Sequence, residues 1–226
     1  GRGLFGIIGS TEGAMQRTLD YNTIYHRNLP HIQPSGATLF VTYRLANSLP
    51  AMVRQRLREE AEAAERLLER LPEDERREEL YRAQKRAFGR LDGALDQMES
   101  GPKWLGEPAV AQLVYNALRQ ADGALYDLLA FVIMPNHVHT VFTPCVEPDG
   151  VVALPRIMHA LKRPTAWDAN TLLGRFGAFW QDESYDHYVR DQDELARIVY
   201  YVLWNPVKAG LVAAWDAWPW SYWKYA

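Results

Sequence analysis

The most apolar segment of the chain lies near its middle and constrains the fold most strongly. Residues 125–134 and 137–143 are rich in aliphatic, aromatic and β-branched side chains, which predicts two strands. Only Pro135-Asn136 separates them, a spacing that suits a tight hairpin. A bilayer-spanning helix needs about 20 apolar residues without interruption, so this segment predicts a β-hairpin in a globular core and no membrane span.

Other segments supply the elements that pack around this hairpin. Residues 38–45 and 185–190 have the composition of strands. Helical patterns cover 108–121, 155–172, where Pro164 is expected to kink or break the helix, and 192–205, where Pro206 is expected to end it. Four strands with helices between them predict an α+β fold, with one sheet and helices on one face.

Residues 51–100 differ in character from the rest of the chain. Charges of both signs alternate with Leu and Ala, a pattern that predicts two antiparallel helices broken near Leu71-Pro72-Glu73. Such a pattern is typical of a solvated helical hairpin that projects from a domain.

Cysteine content and charge limit the possible functions. The single Cys145 forms no internal disulfide, which favours a cytoplasmic protein and argues against a cysteine-rich zinc site. The net charge of −3 gives the chain no general attraction for nucleic acid. Any DNA-binding surface must therefore be a local basic patch.

His137-Val138-His139 is the first candidate for a chemical site. Residues i and i+2 of a strand point to the same face, so both imidazoles can meet one cation. Histidines inside an apolar strand need a partner, because burying them unpaired costs free energy. The alternative is a pair of hydrogen-bonded structural histidines.

Tyr201 and Asn205 form a second candidate. On a helix, residues i and i+4 share a face, so a phenol and a carboxamide project together. An amide oxygen is a plausible ligand for Mg²⁺ or Mn²⁺, and a phenol is a potential nucleophile. The alternative is an aromatic-rich core helix, since Tyr200 and Trp204 are close by.

Zinc is a further possibility for the histidine pair. A catalytic zinc site usually has a third protein ligand, either His, Cys or a carboxylate. His159, His187 and Glu183 are candidates for it, and their spacing does not decide among them.

Taken together, these motifs resemble the REP-associated tyrosine transposases, bacterial single-tyrosine members of the His-hydrophobic-His (HUH) endonuclease superfamily. The resemblance spans roughly residues 21–223 and depends on two ordered motifs. The motifs are Met134-Pro135-Asn136-His137-Val138-His139 and Tyr201-Val202-Leu203-Trp204-Asn205-Pro206-Val207-Lys208-Ala209-Gly210-Leu211-Val212. Shorter similar segments are Phe40-Val41-Thr42-Tyr43-Arg44-Leu45, Phe179-Trp180-Gln181, Tyr185-Asp186-His187 and Arg190-Asp191.

The resemblance implies a ferredoxin-like antiparallel sheet and a metal-dependent reaction on DNA. Single-stranded or hairpin DNA at repeated extragenic palindromes would be cleaved and joined through a covalent phosphotyrosine. By this analogy Tyr201 is the nucleophile, and His137, His139 and Asn205 hold Mg²⁺ or Mn²⁺. Tyr200 is the adjacent alternative nucleophile, but helical geometry turns it about 100° from Asn205.

The same resemblance sets expectations for organisation and partners. Residues 1–20 are expected to be a poorly ordered extension, and 21–226 the HUH domain, with the helical insertion at about 51–100. The protein is expected in the bacterial cytoplasm, as a monomer or a homodimer. Candidate DNA contacts are basic side chains near the motifs: Arg44, Lys162, Arg163, Arg190 and Lys208.

Two other functions remain open on the sequence. One is a non-catalytic regulator that binds hairpin DNA and has kept the fold. The other is a zinc-dependent phosphodiesterase in which water is the nucleophile.

Overall fold

The computed structural model describes residues 24–26, 30–32, 36–96 and 101–226. The expected N-terminal extension at 1–20 lies outside the described residues. None of the described helices is both long enough and apolar enough to span a membrane.

Among the described residues, nine strands form a central sheet and two small ribbons. The ribbons are β1 (Ile24–His26) with β2 (Pro30–Ile32), and β6 (Val146–Glu147) with β7 (Gly150–Val151). The sheet comprises β3 (Leu39–Arg44), β4 (Tyr126–Ile133), β5 (His137–Pro144), β8 (Tyr185–Tyr188) and β9 (Ser221–Trp223). Its order is β8-β3-β5-β4-β9, and every pairing is antiparallel.

In the part of the chain that the structure describes, five α-helices accompany the sheet. They are α1 (Ala51–Arg70), α2 (Glu73–Asp96), α3 (Pro108–Ala121), α4 (Leu154–Leu172) and α5 (Gln192–Lys208). Helices α1, α2 and α3 lie between β3 and β4, and α4 lies between β5 and β8. The four core strands have the ferredoxin-like order β8-β3-β5-β4. The predicted α+β fold with an antiparallel sheet is confirmed.

Helices cover both faces of the sheet. Alternate residues of a strand point to opposite faces, so Leu39 and Val41 pack against α3 and α4, whereas Phe40 packs towards α5. The prediction of helices on one face holds for α3 and α4, but it is wrong for α5. Strand β5 is buried on both sides along most of its length, so both of its faces need a cover.

Two prolines lie inside helices that were expected to break or end there. Helix α4 continues through Pro164, which removes one backbone donor to Ala160 on the exposed side, where water can replace it. The Thr165 hydroxyl also donates to the carbonyl of Leu161 over 2.6 Å. Helix α5 continues past Pro206 to Lys208, because a proline in the last turn removes only one hydrogen bond.

Helix α2 packs against the domain instead of projecting into solvent. Its Tyr81 is buried and donates a hydrogen bond to the buried carboxylate of Glu194 at the start of α5. Lys85 lies 2.8 Å from the same carboxylate, and His187 of β8 lies 3.3 Å away. The expectation of a projecting, solvated hairpin is therefore wrong for α2, since alternating charge alone does not show which face a neighbouring element covers.

Candidate functional site

His137 and His139 lie side by side on β5, the middle strand of the sheet. They point to the face that α5 covers, with side chains 1% and 0% exposed. Their Nε2 atoms are 3.0 Å apart. Two imidazole nitrogens at this distance can bind the same cation, in agreement with the two-residue spacing.

A chain of hydrogen bonds fixes the orientation of His137. The carbonyl of Leu95 in α2 accepts from Asn136 Nδ2 over 3.1 Å, so Asn136 Oδ1 faces His137 Nδ1 over 2.6 Å. Because Oδ1 only accepts, Nδ1 carries the proton and the Nε2 lone pair points into the site. Burial, and then the nearby His139, hold the pKa of His137 well below its usual value, so the ring is neutral at pH 7.

Replacing Asn136 with leucine is expected to weaken metal binding by about 10- to 100-fold, the usual effect of losing a group that orients a metal ligand. The reason is that His137 then loses the acceptor that selects its tautomer. Mn²⁺ titration followed by electron paramagnetic resonance measures the affinity. Asn116→Leu, a change of the same type on the exposed side of α3, provides the matched control. Equal affinities for the two variants would contradict the orienting role of Asn136.

Asp92 of α2 completes a three-residue cluster with the histidines. Ligand atoms of Asp92, His137 and His139 all lie within 4.8 Å of one another, and Asp92 Oδ1 is 3.2 Å from His139 Nε2. Burial raises the pKa of the Asp92 carboxyl, but its contacts with His139 and Tyr201 outweigh this effect and lower the pKa to about 2. The carboxylate is therefore ionised at neutral pH.

Asn205 and Tyr201 approach the same cluster from α5. Asn205 Nδ2 lies 3.4 Å from His139 Nε2 and donates to the Tyr201 hydroxyl over 3.1 Å. Asn205 is 1% exposed, and its Oδ1 has no hydrogen-bond partner among the described residues. Tyr200, by contrast, is 46% exposed and stacks on Trp204, away from the histidines.

The Tyr201 ring packs between aromatic side chains, while its hydroxyl faces Asn205. The ring is 6.3 Å from that of Phe40 and 5.8 Å from that of Phe88, and both of these rings also pack against His139. Burial, followed by the negative charge of Asp92, raises the pKa of Tyr201 well above its usual value. The phenol is therefore protonated at neutral pH, and a nearby cation would offset part of that negative charge and lower the pKa.

The donor set fits a divalent metal ion. Two imidazole nitrogens and one carboxylate converge, and Asn205 Oδ1 and Asp92 Oδ1 are buried acceptors without a hydrogen bond among the described residues. Buried polar atoms of this kind are usually satisfied, so a cation at this cluster would account for them. Two histidines, a carboxylate and an amide are compatible with Mn²⁺ or Mg²⁺, and also with Zn²⁺.

The three residues that the sequence offers as a third zinc ligand lie elsewhere. His187 contacts Glu194 at the edge of the sheet, while His159 and Glu183 line a groove beside α4. Asp92 lies beside the histidines, where one of these residues was considered as a third ligand. It was missed because it is one of many acidic residues in a charged helix, and only the packing of α2 on the sheet distinguishes it.

The five predicted DNA contacts fall in different places. Arg44, Lys162 and Arg163 line the groove beside α4. Arg190 lies over the ring of Tyr81 at 3.3 Å and pairs with Glu78, outside that groove.

Lys208 lies next to the cluster of Asp92, His137 and His139. Its Nζ is 2.7 Å from Asp96 and 3.7 Å from Asp92. Burial lowers the pKa of Lys208, but the two carboxylates outweigh burial and raise it, so this cation partly offsets the acidic pair.

Comparison with known proteins agrees with these motifs. No family model matches the chain. A protein of Haemophilus influenzae with the name "Putative REP-associated tyrosine transposase" is 26% identical over 102 residues, which cover 42% of this chain and 58% of that protein. Over this stretch the chain is similar to a protein named as a REP-associated tyrosine transposase. An "Uncharacterized protein" of the same organism is 29% identical over 94 residues, covering 34% of this chain and 52% of that protein.

The similarity to these transposases is partial in extent. The chain spans little more than half the length of the two curated relatives. A solved structure described as "Structure of the REP associates tyrosine transposase bound to a REP hairpin" aligns with a TM-score of 0.49 and 18% identity, covering 87% of this chain and 80% of that chain.

Proposed function

We propose that this protein is a metal-dependent, single-stranded DNA endonuclease and strand transferase that acts at palindromic hairpins. The observation that carries the proposal is the convergence of the Tyr201 hydroxyl with His137, His139, Asp92 and Asn205. A nucleophile beside a set of cation ligands is the arrangement needed for attack on an anionic phosphodiester. The name of the 26% identical relative, a transposase, supports the same reaction class.

The reaction proceeds by two transesterifications. The Tyr201 oxygen loses its proton and forms a bond to the scissile phosphorus, the bond from phosphorus to the leaving DNA oxygen breaks, and that oxygen takes up a proton to become a free hydroxyl. The phosphotyrosine keeps a high-energy ester, so a second DNA hydroxyl can attack it, rejoin the strand and release Tyr201. Mg²⁺ or Mn²⁺, when bound, would neutralise phosphate charge in the transition state.

The protein's own residues prepare this step. His137 presents a neutral lone pair, and Asn205 donates to the Tyr201 oxygen, which fixes the direction of the phenol. The histidines are fully buried, whereas Tyr201 is partly exposed, so the scissile phosphate approaches from the Tyr201 side. Phe40 and Phe88 keep water away from the back of the site, which protects the covalent intermediate from hydrolysis.

A labelled hairpin oligonucleotide with unpaired tails tests the proposal. Incubation of the full chain with Mn²⁺ or Mg²⁺ is expected to give a covalent protein–DNA adduct that survives denaturing electrophoresis. A chelator is expected to abolish the adduct, because the cation supplies charge stabilisation worth several kcal/mol. Binding of the hairpin without an adduct in any metal would show instead a DNA-binding regulator without catalysis.

The His-His-Asp set gives a zinc-dependent phosphodiesterase some support as a second candidate. In that enzyme water is the nucleophile. Free, fully hydrolysed DNA ends and activity that peaks with Zn²⁺ would identify it in the same assay.

A further inference from the structure

A groove of about 970 Å³ separates the α1–α2 hairpin from α4 and residues 177–186. Its volume is at the upper end of the range typical of small-molecule pockets, about 300–1,000 Å³. On the hairpin side, small apolar residues such as Ala61, Ala64 and Ala87 also line the groove. The metal site described above is separate, but the groove reaches its edge.

The groove is basic, although the chain as a whole is acidic. Seven basic and four acidic side chains line it, whereas the whole chain has a net charge of −3. The hairpin contributes the basic residues Arg54, Arg58, Arg86 and Arg90. The facing wall contributes Arg44, Lys162 and Arg163. This is the local basic patch that DNA binding requires in a chain of this net charge.

Two of these arginines, one on each wall, are available to a ligand. Arg58 of α1 and Arg163 of α4 are exposed and form no hydrogen bond or ion pair with any described residue. The others have partners: Arg90 pairs with Glu60 over 2.6 Å, and Arg54 donates to Asn47 over 3.2 Å. A polyanion lying along the groove would therefore meet Arg58 and Arg163 on opposite sides.

The groove connects to the candidate catalytic centre through Thr42. This residue lines the groove, and its hydroxyl lies 2.7 Å from Nδ1 of His139. Thr42 faces His139 across β3 and β5 in the antiparallel register. A DNA strand bound in the groove would thus be separated from the candidate metal ligand His139 by a single residue, Thr42.

From this placement we infer that the groove binds the unpaired DNA strand that flanks the hairpin, with Arg58 and Arg163 contacting its phosphates. The inference rests on the proposed function, and it assigns the α1–α2 hairpin a role as one wall of the DNA-binding channel. A lining that combines small apolar residues with basic side chains from both sides suits a single DNA strand, because bases can lie against the apolar residues while phosphates face the arginines. A duplex exposes phosphates on its outside and keeps its bases stacked within, so it makes no use of the apolar residues.

The test compares two DNA ligands and two double variants. Fluorescence anisotropy measures the affinity of the full chain for a hairpin with an unpaired tail and for the same hairpin with blunt ends. Arg58→Ala/Arg163→Ala is expected to weaken binding of the tailed hairpin roughly tenfold, and to leave the blunt hairpin unchanged. The slope of log affinity against log salt is expected to fall by about 0.7 for each lost phosphate contact.

Arg70→Ala/Arg197→Ala removes the same charge from exposed positions outside the groove and serves as the matched control. This control is expected to bind both ligands as the unaltered chain does. Equal losses in the two double variants, or an unchanged preference for the tail in Arg58→Ala/Arg163→Ala, would overturn the inference. If the adduct forms but Arg58→Ala/Arg163→Ala does not weaken binding of the tailed hairpin, the groove inference is refuted and the catalytic proposal stands. If the groove arginines contribute to binding of the tail but no adduct forms, the catalytic proposal is refuted and the groove inference stands.

Discussion

Tyr201→Phe is expected to abolish the covalent protein–DNA adduct, with a fall in rate of more than about 1,000-fold. The change removes the attacking oxygen and keeps the ring, so packing against Phe40 and Phe88 is retained. The affinity for hairpin DNA is expected to stay within about twofold, because a single hydroxyl contributes little to binding a polyanion. Denaturing electrophoresis with labelled DNA measures the adduct, and anisotropy measures the affinity.

Tyr200→Phe is the matched control for this experiment. It makes the same chemical change one residue earlier, on a ring that stacks on Trp204 and is 46% exposed. This variant is expected to form the adduct at the rate of the unaltered chain. Loss of the adduct in Tyr200→Phe together with its persistence in Tyr201→Phe would mean that Tyr200 is the nucleophile.

Most of the fold could be predicted from local patterns. The helix expected at 108–121 is found at Pro108–Ala121, and the strand expected at 125–134 at Tyr126–Ile133, because both have clear hydrophobic periodicity. The patterns failed where tertiary contacts decide the outcome. Pro164 and Pro206 lie within helices, since packing of the surrounding turns outweighs the loss of one backbone hydrogen bond at each.

The candidate site was predictable only in part, and for a related reason. The pairs His137/His139 and Tyr201/Asn205 each lie on one element, so periodicity alone places each pair on a single face. Asp92 joins them from α2, a helix far away in sequence and inserted in the middle of the domain. No local pattern distinguishes it from the other acidic residues of that helix. The packing of α2 on the sheet places Asp92 beside the histidines, through contacts such as that between the rings of Phe88 and His139.

The packing of α2 also changes the interpretation of the insertion. The helix supplies a carboxylate beside the histidines and the carbonyl that orients Asn136, and it forms one wall of the basic groove. A solvated appendage would do none of these things. If the metal is held partly by Asp92, then docking of the insertion and metal binding are coupled, because a metal ligand that leaves with its helix lowers the affinity of those that remain.

Asp92→Ala is therefore expected to weaken Mn²⁺ binding more than about 100-fold, since even groups that only orient a ligand contribute about 10- to 100-fold. Adduct formation at low metal concentration should fall in parallel, and a large excess of Mn²⁺ should restore part of it. Asp96→Ala removes the same charge one turn later on α2, from a carboxylate that pairs with Lys208 over 2.7 Å. Titration of Mn²⁺ by electron paramagnetic resonance compares the two variants. If Asp92→Ala binds Mn²⁺ as tightly as Asp96→Ala does, then the histidines and Asn205 hold the ion without Asp92, and the insertion contributes to the site only through packing.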